Sequence, residues 1–256
     1  MNITEAMLSD LLALVGKANA AIMDIYTSNT TVVEYKADNS PLTQADKASH
    51  EIITKGLAAL FPEIPVISEE GNLDENLALV KQSTYWIVDP IDGTQDFVNR
   101  TGDFCIALGL VDGDEPVFGL VSAPTFNAVY YGGPATGSFK KVGDAKAIQI
   151  RSAELTPHVV GVSRSHVTEA TDTYIATNYA GATLRPLGSM LKQMAIAEGS
   201  ADVYPCIGQP LNLWDVAAGQ AIIEGAGGTV KRLDGSKLEW HGADTLKVGD
   251  FIAKSF

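Results

Sequence analysis

The sequence predicts a mixed α/β fold, and three observations lead to this prediction. The start of the chain carries two helical stripes of apolar side chains, the middle holds short apolar runs separated by turn residues, and the second half alternates predicted strands with predicted helices. A soft boundary near residue 152 divides the chain into a predicted N-terminal α+β domain, 1–152, and a predicted C-terminal α/β domain, 153–256. We expect the two domains to share a cleft, because no long linker separates them.

The first predicted domain begins with two amphipathic helices. One covers residues 4–26, with Asn2 and Glu5 spaced as a capping box, and the other follows Thr43 and ends at Pro62. A short helix is predicted at 75–81, whereas 135–147, rich in Gly and Lys, is predicted to loop out. Strands are predicted at 65–68, 84–88, 104–111, 117–122, 128–131 and 148–151, and those between 104 and 131 are expected to form an antiparallel meander.

The second predicted domain alternates strands with helices. The strands are predicted at 159–162, 183–186, 201–204, 229–232 and 247–252. The helices are predicted at 168–179, 189–198 and 213–225. This alternation is typical of an α/β unit.

Composition excludes several classes of protein. The 18 basic and 31 acidic residues give a net charge of −13, so the sequence indicates no nucleic-acid partner, and an anionic small molecule would need local positive charge to bind. Cys105 and Cys206 are far apart in the sequence and belong to no CxxC motif, which argues against a disulfide scaffold or a zinc site. We expect a cytoplasmic protein with no integral membrane segment, and peripheral membrane association is left open.

The run Trp86-Ile-Val-Asp-Pro-Ile-Asp-Gly-Thr94 is the most informative segment of the chain. Asp89 is expected where a strand ends at Pro90, and Asp92 follows in an Asp-Gly turn. Thr94 is expected to cap a short helix, so that the backbone N–H groups of Gly93 and Thr94 face an anion. Two carboxylates would repel a phosphate ester unless divalent cations lie between them. The alternative is a pair of ordinary turns.

Other acidic residues have the positions to join this pair. Glu69 and Glu70 close the strand 65–68, and Glu69 converges with Asp89 if that strand neighbours 84–88; alternatively the two glutamates are a solvated loop. Asp215 enters a predicted helix behind Trp214, where it either complements the helix dipole or serves as a buried ligand.

Asp46 has two possible roles. With Thr43 it has the spacing of a capping box, and alternatively it orients the hydroxyl of Thr94, which then helps to deprotonate a water. The carboxylates Glu69, Asp89, Asp92 and Asp215 suit Mg²⁺ better than zinc. Together these residues predict a metal-dependent phosphoesterase in which water attacks in line, without a covalent phospho-enzyme.

Two motifs, Asp89-Pro-Ile-Asp-Gly-Thr94 and Trp214-Asp215-Val-Ala-Ala-Gly219, resemble the two signatures of the inositol monophosphatase superfamily. Four segments resemble its bacterial 3'(2'),5'-bisphosphate nucleotidase branch, the CysQ-type proteins: Lys36-Ala-Asp-Asn-Ser-Pro-Leu-Thr-Gln-Ala-Asp46, Ser68-Glu-Glu70, Ser163-Arg-Ser-His166 and Gly188-Ser-Met-Leu-Lys192. The resemblance covers nearly the entire chain. It implies a layered α/β/α/β/α sandwich of the sugar-phosphatase type, and Mg²⁺-dependent hydrolysis of the 3'-phosphate of 3'-phosphoadenosine 5'-phosphate to AMP, often inhibited by lithium.

The resemblance also implies roles for individual residues. Glu69, Asp89 and the carbonyl of Ile91 would hold one Mg²⁺, and Asp89, Asp92 and Asp215 a second, with two or three ions in all. Asp46 and Thr94, with Glu69, would be catalytic. The substrate would contact Gly93, Thr94, Ser163, Arg164, His166, Ser189, Lys192 and Asp215.

Several alternatives remain open on the sequence. If the family resemblance is not used, Ser189 is predicted to be a helix N-cap and Lys192 to be a solvated charge on a helix. His166 is then predicted to be an exposed loop residue. Gln95 stands where the nucleotidases often have a lysine, which weakens the choice of an adenosine bisphosphate. The rivals are an inositol monophosphatase, a sugar bisphosphatase and a catalytically silent nucleotide or metal sensor, and the protein is expected to be a monomer or a homodimer.

Overall fold

The structure is a computed structural model that describes residues 3–28, 32–35, 41–209, 211–241 and 245–255. The helices are α1 Glu5–Ser28, α2 Gln44–Leu60, α3 Leu73–Leu79, α4 Thr94–Val98, α5 Glu169–Asn178, α6 Leu191–Ala197 and α7 Ala217–Gly225, with short 3-10 helices at Pro124–Phe126 and Leu213–Asp215. Asn2, and residues 36–40 of the segment that begins at Lys36, lie outside the described residues.

The described strands form a hairpin and two larger sheets. The strands are β1 Val33–Tyr35, β2 Pro41–Thr43, β3 Val66–Ser68, β4 Thr84–Asp92, β5 Cys105–Asp112, β6 Glu115–Ala123, β7 Ala128–Gly133, β8 Gly137–Val142, β9 Ile148–Ile150, β10 Val159–Ser163, β11 Thr183–Leu187, β12 Val203–Cys206, β13 Thr229–Lys231 and β14 Phe251–Lys254. Strands β3 to β9 lie in sequence order in a seven-stranded sheet, parallel between β3 and β4 and antiparallel elsewhere. The five-stranded sheet has the order β11-β10-β12-β14-β13.

The elements stack in five layers. Helices α1 and α2 cover one face of the seven-stranded sheet, and α6 and α7 lie between its other face and the five-stranded sheet. Helix α5 covers the outer face of the five-stranded sheet, where Ile175 and Tyr179 pack on Val160 and Val203. This arrangement is the predicted α/β/α/β/α sandwich.

Side-chain alternation along β4 explains why this strand lies between two helical layers. Trp86 and Val88 face the layer of α1 and α2, whereas Tyr85 and Ile87 face the layer of α6 and α7. Successive side chains of a strand point to opposite faces, so a run that is apolar at every position is buried on both sides. Strand β4 therefore lies buried between two helical layers, and its last residues lie at the end of a buried strand.

Two glycines allow α7 to lie close to the seven-stranded sheet. A Cβ atom at Gly119 would lie 2.1 Å from the carbonyl oxygen of Ala218, and one at Gly109 would lie 2.8 Å from the Cβ of Ala217. Side chains at these positions would push the start of α7 away from the sheet. The close approach fixes the position of Asp215, which directly precedes this helix.

Most predicted elements are confirmed. The strand predicted at 247–252 is instead β14, Phe251–Lys254, and Lys247 lies outside it in an isolated bridge. Three further differences have physical reasons. Residues 135–147 contain β8 instead of a loop. Two hydrogen bonds hold this strand in place: Ser138 Oγ donates to the carbonyl of Ile222 at 2.7 Å, and Lys140 Nζ donates to the carboxylate of Glu198. The helix predicted at 213–225 is divided into a 3-10 turn and α7 at Val216. Strand β4 continues past Pro90 to Asp92, since a bulge accommodates the missing N–H of the proline.

The predicted boundary near residue 152 falls between β9 and β10, and therefore between the two large sheets. The largest core cluster nevertheless contains residues of both halves, such as Ile87 and Ile222. The division into two domains stays a prediction.

Helix α1 is long and apolar enough to cross a membrane by length and composition, with a mean hydropathy of 1.4 over its most apolar window. Leu11, Val15, Ala18 and Ile22 of this helix are buried against α2 and the sheet. Length and composition alone do not distinguish a membrane span from such a core helix.

Candidate active site

Three aspartates from distant parts of the sequence meet at one point. Asp89, Asp92 and Asp215 each offer a carboxylate oxygen, and these oxygens all lie within 4.8 Å of one another. Asp89 and Asp92 belong to the end of β4, and Asp215 ends the 3-10 helix that precedes α7. The sequence prediction that these carboxylates converge agrees with this geometry.

Strand pairing brings Glu69 to the same cluster. Ser68 lies opposite Val88 in the parallel pair of β3 and β4, and the N–H of Glu69 donates to the carbonyl of Val88 at 3.1 Å. Glu69 therefore follows β3 at the level where Asp89 follows on β4, as the sequence predicts for neighbouring strands. The solvated-loop alternative does not describe Glu69, which is half-buried and lines a cavity.

A bulge turns Asp89 and Asp92 towards the same edge of the sheet. The register of β4 against β5 shifts between these two residues, with Asp89 opposite Ala107 and Asp92 opposite Cys105. Within the bulge, the N–H of Ile91 donates to Asp89 Oδ1 at 3.0 Å. Side chains three residues apart would point to opposite faces of a regular strand, and the extra residue of the bulge removes this alternation.

Asp215 is held by a capping box of its own. Its Oδ2 accepts from the N–H of Asn212 at 2.6 Å, and its carbonyl accepts from Gln193 Nε2 at 2.7 Å. Trp214, the residue before Asp215, is buried, with 8% of its surface exposed. The carboxylate thus reaches the cluster from a rigid segment.

The cluster raises the pKa values of its members. Burial raises the pKa of Asp89 well above its usual value, and the neighbouring carboxylates raise it further. Burial raises the pKa of Asp92 to about 6, although the charge of Lys192 opposes this shift. Burial, followed by repulsion from Asp92, raises the pKa of Asp215. Such repulsion is relieved when a divalent cation lies between the carboxylates, and hard oxygen donors of this kind fit Mg²⁺.

Asp46 occupies both of its possible roles at once. Its Oδ2 accepts from the Thr43 N–H at 2.8 Å and from Thr43 Oγ1 at 2.5 Å, which completes the capping box of α2. Its Oδ1 accepts from Thr94 Oγ1 at 3.1 Å. Thr94 Oγ1 also lies 3.1 Å from the carbonyl of Ile91. The two carboxylate oxygens have separate partners, so capping and orientation of the threonine hydroxyl coexist.

Gly93 allows the chain to turn between β4 and α4. It has a φ of 91°, and a Cβ atom there would lie 2.8 Å from the carbonyl oxygen of Asp103, so the position favours glycine on two grounds. The N-cap of α4 is Gly93, and the expectation that Thr94 caps this helix is wrong because its hydroxyl is bound to Asp46. Among the described residues, the N–H groups of Gly93 and Thr94 have no hydrogen-bond partner.

The cluster opens into a cavity of about 570 Å³, large enough for a small-molecule ligand. Its lining includes Glu69, Asp92, Gly93, Thr94, Asp96, Ser163, His166, Ser189, Lys192, Gln209, Asn212, Asp215 and Lys247. Elements of both halves of the sequence therefore contribute to one cleft, as the sequence predicts.

Ser189 and Lys192 differ from the expectations that sequence alone favours. Ser189 is not an N-cap, because it has a left-handed φ of 48° and α6 begins after Met190. Lys192 is not a solvated charge, because it is 8% exposed and its Nζ donates to the carbonyl of Ser189 at 2.7 Å. Burial lowers the pKa of Lys192, and the charge of Asp92 opposes this shift. Both residues line the cavity, where the family resemblance places them.

The end of β10 and the loop after it carry three predicted substrate contacts, and two of these residues line the cavity. Ser163 and His166 line the cavity, and Ser163 Oγ accepts from the N–H of His166 at 3.1 Å. Arg164 does not line it, because its guanidinium pairs with Asp103 at 2.5 Å. Its predicted role as a substrate contact has no support in this geometry.

Sequence reasoning missed several lining residues. Asp96 is 7% exposed and accepts from Thr101 Oγ1 at 2.6 Å. Gln209 and Lys247 belong to no recognisable motif, and Asn212 is the first residue of the capping box that holds Asp215. The pairing of Asn212 with Lys247 joins segments that are distant in sequence, and no local pattern could have indicated it.

Known proteins resemble the chain over almost its whole length. Residues 4–255 match the inositol monophosphatase family model. The 3'(2'),5'-bisphosphate nucleotidase CysQ of Escherichia coli K12 is 39% identical over 237 residues, which cover 91% of this chain and 94% of that protein, and CysQ of Buchnera aphidicola is 37% identical over 93% of this chain and 89% of that protein. The crystal structure of CysQ from Bacteroides thetaiotaomicron, a bacterial member of the inositol monophosphatase family, aligns with a TM-score of 0.79 at 35% identity over 93% of each chain. The chain belongs to the inositol monophosphatase family.

Proposed function

We propose that this protein is a Mg²⁺-dependent phosphomonoesterase that hydrolyses the 3'-phosphate of 3'-phosphoadenosine 5'-phosphate to AMP and phosphate. The observation that carries the proposal is the cluster of Asp89, Asp92 and Asp215 beside the hydrogen-bonded pair of Asp46 and Thr94. The relatives named as 3'(2'),5'-bisphosphate nucleotidases support the choice of substrate.

The ligand roles proposed here are those that the family resemblance implies. Glu69, Asp89 and the carbonyl of Ile91 would hold one Mg²⁺, and Asp89, Asp92 and Asp215 would hold another. When bound, Mg²⁺ supplies Lewis-acid chemistry: it lowers the pKa of a water and neutralises charge on the phosphoryl oxygens. Buried carboxylates that repel one another support these roles, because the same charges that are costly alone favour a divalent cation.

The chain's own groups move the proton and hold the phosphoryl group. Asp46 Oδ1 accepts the hydrogen of the Thr94 hydroxyl, which leaves a lone pair of Oγ1 directed at the attacking water. The water gives its proton to this pair as its oxygen bonds to phosphorus, the bond from phosphorus to the 3'-oxygen breaks in line with the attack, and the 3'-oxygen takes up a proton from water in the cleft. The N–H groups of Gly93 and Thr94 donate to the equatorial phosphoryl oxygens. Asp46 and Asp89 are each 1% exposed, and this burial strengthens the interactions that their carboxylates make.

The remaining residues of the cleft bind the nucleotide. Ser189 and Lys192 supply a hydroxyl and a buried ammonium group on one wall, Ser163 ends β10, and His166 lies on the loop that follows. The silent-sensor alternative is disfavoured, because binding alone requires no hydroxyl oriented by a buried carboxylate. We further propose a cytoplasmic enzyme with two or three Mg²⁺ ions, acting as a monomer or homodimer.

A phosphate-release panel tests the proposal. Adenosine 3',5'-bisphosphate, an inositol monophosphate and fructose bisphosphate are compared with Mg²⁺ and with a chelator. We expect the highest kcat/KM for the adenosine bisphosphate, loss of activity with the chelator and recovery with added Mg²⁺. Preference for the inositol phosphate or the sugar bisphosphate would select a rival substrate, and no phosphate release from any of them would contradict the phosphoesterase proposal.

A further inference from the structure

One cationic side chain of the cleft has no role in the proposed chemistry. Lys247 lines the cavity together with Asn212 and Asp215. It belongs to a short segment that runs antiparallel to the loop before Asp215, and Lys247 itself pairs with Asn212 in an isolated bridge. The Leu213 N–H donates to the carbonyl of Leu246 at 2.8 Å.

The backbone of this segment is firmly fixed. The Val248 N–H donates to the carbonyl of Leu211 at 3.0 Å, which closes the pairing on the other side of Lys247. Leu246 and Val248 are 5% and 4% exposed, whereas Lys247 is exposed. Alternation along an extended segment sends the two apolar side chains into the core and the lysine between them to the cleft.

The position of Lys247 matters because the charged side chains that line the cleft are mostly acidic. Among the described residues, four acidic side chains line the cavity, Glu69, Asp92, Asp96 and Asp215, against two lysines, Lys192 and Lys247. Lys192 is 8% exposed and lies on the inner wall of the cavity. Lys247 is exposed at the rim and lines the same cavity as Asp215.

A bisphosphate presents two anionic groups to this cleft. The scissile phosphate lies at the carboxylate cluster, where Mg²⁺ compensates its charge. The other phosphate is attached to a different carbon of the ribose, and in an acidic cavity it requires a cation of its own. An exposed ammonium group on a fixed backbone at the rim meets this requirement with little loss of hydration.

We propose that Lys247 binds the non-scissile phosphate of the substrate and so determines the preference of the enzyme for bisphosphates over monophosphates. This inference rests on the proposed function. It adds a specificity residue that lies outside the motifs of the carboxylate cluster and of the loops at Ser163 and Gly188. No bond is made or broken at Lys247, and its effect is on binding of the second charged group.

The test compares two substrates that differ by one phosphate. Adenosine 3',5'-bisphosphate and adenosine 3'-monophosphate are assayed with the wild-type enzyme, Lys247→Ala and Lys247→Arg. We expect Lys247→Ala to lower kcat/KM for the bisphosphate by about tenfold or more, mainly through KM, and to change the monophosphate value by less than about twofold. Lys247→Arg should restore most of the loss, because the positive charge is retained.

A binding measurement supplies a second readout. AMP retains the 5'-phosphate and adenosine does not, so Lys247→Ala should raise the inhibition constant of AMP by about tenfold and leave that of adenosine unchanged. Lys55→Ala is the matched control, since this exposed lysine pairs with Glu51 on α2, away from the cavity, and should alter none of these constants.

The outcomes separate the two proposals. A wild-type enzyme that releases phosphate from neither nucleotide overturns the proposed function, and this inference with it. A wild-type enzyme that is active on the bisphosphate, with equal losses for both nucleotides in Lys247→Ala, overturns the inference alone. An unchanged bisphosphate kcat/KM in Lys247→Ala has the same consequence.

Discussion

Asp46→Asn tests the assignment of the proton-accepting pair. The amide side chain introduced by this substitution keeps one oxygen acceptor, but its second terminal atom is a nitrogen that donates and cannot accept. Thr43 and Thr94 therefore compete for a single oxygen, whereas the wild-type carboxylate has one for each. We expect kcat to fall by about 10²- to 10⁴-fold, the range of general acid–base catalysis. The Mg²⁺ concentration for half-maximal rate should stay within about twofold.

Loss of stability cannot account for an effect of this size. Damage to the capping box of α2 costs about 1 kcal/mol, which leaves a domain with about 5–15 kcal/mol of stability almost fully folded. The assay is phosphate release against Mg²⁺ concentration, accompanied by a thermal melt. Asn72→Ala is the control, because it removes the N-cap of α3 at a similar cost and should leave kcat unchanged. An unaltered kcat in Asp46→Asn would remove the pair from the mechanism.

Three further predictions concern metal binding, substrate binding and pH. Asp215→Asn should raise the Mg²⁺ concentration for half-maximal rate by about tenfold or more, since a ligand of the cluster loses its charge, and an unaltered Mg²⁺ dependence would exclude Asp215 as a ligand. Lys192→Ala should raise KM for the adenosine bisphosphate by about tenfold more than for an inositol phosphate, and equal changes would argue against nucleotide recognition by this residue. Burial, with repulsion from Glu115 second, raises the pKa of Glu224 from 4.5 to about 7, so the folded state binds a proton that the unfolded state has released and stability falls as pH rises through this window. Glu224→Gln should therefore be more stable than the wild type by about 1–3 kcal/mol at pH 8 and equal to it near pH 4, as measured by urea unfolding, and a pH-independent difference would refute this assignment.

Local sequence patterns predict the layers of this fold, because apolar side chains recur with one period in helices and with another in strands. The helical stripe of α1 and the two-sided apolar run of β4 each specify what they pack against. Strand β8 escapes prediction because its residues, rich in Gly and Lys, carry no apolar alternation, and contacts such as Lys140 with Glu198 appear only after the chain has folded. The bulge in β4 is similarly invisible, since Pro90 reads as the end of a strand.

The carboxylate cluster could be anticipated where short motifs place acids at the ends of strands, as for Asp89 and Glu69. Burial could not be anticipated for Lys192, because α6 lies between two sheets and each of its residues is buried, the lysine included. Lys247 illustrates the same limit, since its position depends on pairing with a loop far away in the sequence. Motifs identify groups that act locally, whereas long-range packing determines which other side chains join them.

Crystallography with Mn²⁺ in place of Mg²⁺ tests most directly whether the acidic cluster binds divalent metal. Mn²⁺ accepts the same oxygen ligands and gives an anomalous signal that identifies its position. We predict an anomalous peak about 2.2 Å from oxygens of Asp89, Asp92 and Asp215. A well-ordered cluster without such a peak in saturating Mn²⁺, or a peak bound only elsewhere on the protein, would contradict the account.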